Sequence, residues 1–104
     1  MALLIAASDR NAPGAPTVTM VSSGASPALD IGFAIPPLAG DLIHVWDNGD
    51  PVVGANPYTI TTTDIANSQL NLSLPNLSVG AHVILVRHQQ NGHGSAPGSV
   101  SITV

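Results

Sequence analysis

The 104 residues contain no cysteine, no lysine and no glutamate. Without cysteine, neither disulfides nor thiolate metal sites can contribute, so the fold must rest on an ordinary apolar core. Only Arg10 and Arg87 are basic, and six aspartates bring the net charge to −4. A nucleic-acid groove or an anionic membrane surface needs clustered Lys and Arg, so this composition argues against both partners. Charged residues make up 8% of the chain, against about 25% in an ordinary soluble domain. Solubility must then come from Ser, Thr, Asn, Gln and Gly, or part of the surface is hidden in an assembly.

Long apolar runs are missing as well. The longest near the start is Ala2 to Ala7, far short of the ~20 residues that span a bilayer. It also lacks the basic region and longer apolar stretch of a secretory signal. The expectation is a cytoplasmically made protein or a module of a longer exported one. No stretch shows the 3.6-residue periodicity of a helix. No G-x-S-x-G elbow, paired carboxylates on one strand or phosphate loop is present, so no catalytic residue and no cofactor site is assigned.

What is present reads as strands. A chain of this length forms one domain that removes roughly 65% of its unfolded surface from water. Residues 1–16 form an arm: the apolar patch with Leu3, Leu4 and Ile5, then a Pro/Gly/Ala linker. The arm is expected to fray, or to dock on its own sheet or on a neighbouring chain. From Thr17 onward, turn signals recur about every eight to twelve residues between short alternating runs, as in a sandwich or barrel. Val18 and Met20 share one face. Leu29, Ile31, Phe33 and Ile35 alternate with smaller or polar residues until Pro36-Pro37 ends the run, because proline cannot donate to a ladder. Asp41–Asp47 enters a turn at Asn48-Gly49, where a type I′ turn needs φ > 0 twice. Val52-Val53 reads as a short return strand, and Tyr58–Thr63 as a Thr-rich one. Leu70, Leu72 and Leu74 give the clearest period of two. His82–Gln89 is a long strand apolar on both faces, and Val100, Ile102 and Val104 close the set. About seven strands result, and their short turns require antiparallel sheets.

Facing follows from register. If Ile43 and Val45 point inward, Leu42, His44 and Trp46 point outward. If Ile84, Val86 and His88 point inward, Val83, Leu85, Arg87 and Gln89 point outward. The two outward sets form a patch of Leu42, Trp46, Val83 and Leu85 rimmed by His44 and Arg87. An apolar patch of this kind marks a contact surface, and a tryptophan at its centre is a common energetic anchor. The opposite register would bury Trp46, and a third arrangement would cover the patch with the chain's own arm.

Asp47, Asn48 and Asp50 could offer oxygens to Ca²⁺, but that ion takes about six to eight ligands and no EF-hand spacing exists. The turn needs these residues anyway. His44, His88 and His93 show no zinc-type spacing, so no metal site is assigned.

Three segments in order carry a resemblance: Val45-Trp46-Asp47-Asn48-Gly49, then Leu77-Ser78-Val79-Gly80-Ala81-His82, then Asn91-Gly92-His93-Gly94-Ser95-Ala96-Pro97 with the Ser-Val-Ser-Ile-Thr-Val tail. Together, over residues 16–104, they resemble the bacterial immunoglobulin-like domains. The arm and the large Trp46 depart from that pattern. In immunoglobulin-type domains the core tryptophan sits four residues before the turn glycine, a place Val45 fills here. The resemblance implies an all-β, antiparallel immunoglobulin-like sandwich over 17–104, in which His82 at its corner bonds to backbone. It also implies a non-enzymatic role. One form is a decoration protein of a virion surface, on capsid or tail. The other is a spacer or adhesion repeat of a bacterial cell-surface protein that binds glycan or protein weakly. Expected partners are proteins of a larger assembly, including further copies of the chain.

Overall fold

The computed structural model describes residues 12–22, 24, 26–67 and 70–104. Two antiparallel sheets face each other. The smaller has the order β1 (Thr17–Met20), β2 (Ala28–Gly32), β6 (Leu70–Ser73). The larger is built on β3 (Leu42–Asp47) and β7 (Ala81–Gln90), with β4 (Asp50–Pro51) and β5 (Tyr58–Thr59) on β3, and β8 (His93–Gly94) and β9 (Gly98–Thr103) on β7.

Alternation dictates which side chains meet. Register sets Leu29 opposite Leu72 and Ile31 opposite Leu70 in the smaller sheet, and Val45 opposite Val86 in the larger. These residues, with Ile43, Ile84 and Ile102, are buried in one continuous core. Burying each such side chain is worth about 1.5–3 kcal/mol. Val52, Ala55 and Ile60 seal the core from the β4–β5 side.

Two Asn-Gly pairs make the tight reversals. Asn48 and Gly49 have φ of 49° and 90°, and Asn91 and Gly92 have 53° and 82°, the left-handed pair that a two-residue hairpin requires. Where β9 starts, Gly98 lies so close to the Pro16 carbonyl that any Cβ there would overlap it. This contact fastens the segment before β1, in which Pro13 and Pro16 are buried, to the last strand.

The structure corrects several expectations. β2 stops at Gly32: Phe33 still packs on the core, but Ile35 is exposed. The return strand after the turn is Asp50–Pro51, not Val52-Val53; Val52 is buried in the core and Val53 is exposed. The expected strand Tyr58–Thr63 ends at Thr59 and gives way to a short helix, α1 (Thr62–Ala66). Its cause is a capping box. The Thr61 hydroxyl accepts from Asp64 N, and the Asp64 carboxylate accepts from Thr61 N, so two orphan donors of the first turn are satisfied reciprocally. Tyr58 O–H also donates to Asp64 Oδ2 at 2.8 Å, tying β5 to the helix.

Candidate interaction surface

Ile43 and Val45 on β3, with Ile84, Val86 and His88 on β7, are fully buried between the sheets. Leu42, His44 and Trp46 therefore project from the outer face of the larger sheet, beside Val83, Leu85, Arg87 and Gln89. Cross-strand register pairs Leu42 with Gln89, His44 with Arg87, and Trp46 with Leu85. Trp46 takes no part in the core; among the described residues its ring neighbours are His44 and Arg87. The imidazole of His44 stacks beside it at 5.9 Å between centroids, with 24° between planes. The Arg87 guanidinium carbon lies 5.6 Å from the ring centroid, within cation–π range. Val83 is nearly half exposed, Leu42 and Leu85 partly so.

A hydrogen-bond chain holds the polar part of this face in place. Asn56 Nδ2 donates to the Val45 carbonyl at 2.8 Å, which turns Asn56 Oδ1 toward His44 Nδ1 at 2.9 Å. That nitrogen therefore carries hydrogen and donates. The terminal amide of Gln89 lies 2.8 Å from His44 Nε2. The imidazole is held at both nitrogens and stays against Trp46. Beyond Leu42 and Gln89 the face runs into a depression of about 290 Å³, bordered by Leu38, Asp41 and Asn91.

Behind this face, the inner rows of β3 and β7 end in His–Asp pairs. Asp41 Oδ2 accepts from Leu38 N, from Gln90 Nε2 and from His88 Nε2, at 2.9, 3.0 and 2.8 Å. Burial pushes the Asp41 carboxyl up, but these donors outweigh it and hold its pKa below the usual 3.8. His88 is completely buried, with Phe33 edge-on at 5.1 Å, and its Nδ1 has no partner among the described residues. At the other end, His82 Nε2–H donates to the Ser78 carbonyl at 2.8 Å, the backbone bond expected at the corner. Its Nδ1 lies 2.7 Å from Asp47 Oδ1. The Ser78 bond and the Asp47 carboxylate raise the His82 pKa above 6.5, against burial.

Two of the three turn side chains that could offer oxygens to Ca²⁺, Asp47 and Asn48, are engaged by protein groups. Asp47 faces His82, and Asn48 Oδ1 accepts from Val83 N while its Nδ2 donates to the Ala81 carbonyl. Among the described residues no three His, Asp, Glu or Cys side chains are grouped to hold a metal. Of the candidate interface residues, the structure brings Leu42, His44, Trp46, Val83, Leu85 and Arg87 onto one face. Leu3, Leu4 and Ile5 lie outside the described residues. Asn56, which fixes His44, has no signal in the sequence: it reaches the site from a loop.

No family model matches the chain, and no curated protein matches it. Among solved structures it is similar to the PKD domain of an M14-like peptidase from a Thermoplasmatales archaeon, at 16% identity and a TM-score of 0.62, with 92% of this chain and 98% of that one covered. The fold is immunoglobulin-like. It is also similar to the chicken interferon gamma receptor alpha chain, at 16% identity and a TM-score of 0.63. There 88% of this chain is covered and it spans about half of the receptor chain. At this identity the immunoglobulin-like likeness concerns architecture alone.

Proposed function

We propose that this chain is a non-enzymatic immunoglobulin-like module that holds its place in a larger assembly through the outer face of its six-stranded sheet. One observation carries the reading: the single tryptophan stands outside the core, on a sheet face that also exposes Leu42, Val83 and Leu85. Tryptophan and arginine side by side are the residues that most often dominate a protein interface. The scarcity of charge supports a surface that is partly covered in use. The assembly we favour is a virion surface, with the chain as a capsid or tail decoration protein and Leu3, Leu4 and Ile5 of the arm as a second contact.

A second reading is a spacer or adhesion repeat of a bacterial cell-surface protein, binding protein or glycan weakly. The resemblance of residues 16–104 to the bacterial immunoglobulin-like domains supports it. Two measurements test the proposal. Trp46→Ser is expected to leave the fold intact and to abolish incorporation into the native particle; an intact particle with the variant in place overturns it. Antibody detection of the chain on purified virions or on cell envelopes decides between the two assemblies.

A further inference from the structure

The chemistry of the partner can be read from Arg87, on the reading that this face docks a protein. Arg87 is the only cation of fixed charge among the described residues; the other described residues of fixed charge are aspartates. Among the described residues no carboxylate forms an ion pair with it and no hydrogen bond occupies its nitrogens; its recorded contact is the Trp46 ring. A guanidinium laid against an aromatic face keeps its N–H fork free and oriented, which suits bidentate pairing with a carboxylate. Nothing else on the face can supply one: Leu42, His44, Trp46, Val83, Leu85 and Gln89 are apolar, imidazole or amide.

We infer that the partner is a protein that places an Asp or Glu carboxylate on the Arg87 guanidinium and an apolar side chain over Trp46 and Leu85. A second copy docked face to face does not fit. A twofold contact puts the same patch on both sides, so each Arg87 would meet a surface with a cation and no anion. Because the chain carries a net charge of −4, an acidic partner gains nothing from the overall field. Recognition then depends on the local pair.

The test uses the full chain and two end-capped tripeptides, acetyl-Leu-Asp-Leu-amide and acetyl-Leu-Asn-Leu-amide, titrated to millimolar concentration while the Trp46 indole N–H and Arg87 Nε–H resonances are followed. The Asp peptide is expected to shift both signals and to bind roughly tenfold tighter than the Asn peptide, the ratio a charge-assisted hydrogen bond supports. Arg87→Gln is expected to remove that preference, and Arg87→Lys to keep part of it. Equal binding of the two peptides, or shifts from neither, overturns the inference, as does a uronic acid shifting both signals where the peptides do not. The docking reading is judged separately. If Trp46→Ser prevents assembly and Arg87→Gln does not, the face is an interface and the carboxylate partner is wrong; if neither does, the interface itself falls.

Discussion

The two ends of the β3–β7 pair use the same residues to different effect. At each end a histidine on β7 meets an aspartate diagonally across, His88 with Asp41 just before β3 and His82 with Asp47 at its end. The first pair is sealed: His88 has no exposed surface and Asp41 only 6%. Asp41 collects three donors while the His88 ring has one recorded partner and an unmatched Nδ1. At the second end the allotment is reversed. His82 finds an acceptor at each nitrogen, and the side chain of Asp47 is 21% exposed. One end therefore depends on its carboxylate and the other on its imidazolium.

Asp41→Ala tests this most severely. It strands three donors, two of them part-buried, and a buried donor left unsatisfied costs about 1–3 kcal/mol. Urea unfolding is expected to show that loss, with a clearly smaller one for Asp47→Ala; equal losses would break the comparison. The ends also separate by pH. The His82 pKa is raised, so its contribution is complete below 6.5 and is lost as pH climbs through the folded value. Asp41 and Asp64 are held below 3.8, so theirs is present above 3.8 and lost as pH falls through their folded values. Melting temperature is expected to be highest between 3.8 and 6.5, and His82→Gln to flatten the alkaline limb alone.

Tyr58→Phe sharpens the acid side. It removes one donor from Asp64 and is expected to lower stability by about 1 kcal/mol, leaving the Asp41 share of the acid limb in place. The smallest effect is expected for Arg87→Gln, within about 0.5 kcal/mol in the same unfolding measurement, because its side chain is solvent-exposed. A large loss there would mean that the outer face supports the fold itself.

Which of these features were readable from the residues depends on their range. The period of two in β3 and β7 sorts Ile43, Val45, Ile84, Val86 and His88 from Leu42, His44, Trp46 and Leu85 without any knowledge of partners, because alternation is a property of one strand. The first Asn-Gly turn was legible for the same reason. Its two-residue reversal sets Asp47 opposite Asp50, so the return strand starts there; Val52-Val53 is strand-like only in composition. The helix after Thr61 is five residues long, too short for periodicity, and its signal was the Thr-x-x-Asp spacing. The His–Asp pairs needed the pairing register of strands some forty residues apart. The Asn56–His44 bond needed the course of a loop.

A last consequence follows from where the aspartates went. Asp30, Asp41, Asp47 and Asp64 each accept from an internal side-chain donor, which leaves Asp50 and Arg87 as the described ions without such a bond. Only 8% of the chain is charged and its net charge is −4, so added salt has few surface charges to screen. Close approach is governed instead by how tightly hydroxyl and amide groups keep their water. Precipitants that strip hydration should act on this protein sooner than a change of ionic strength does.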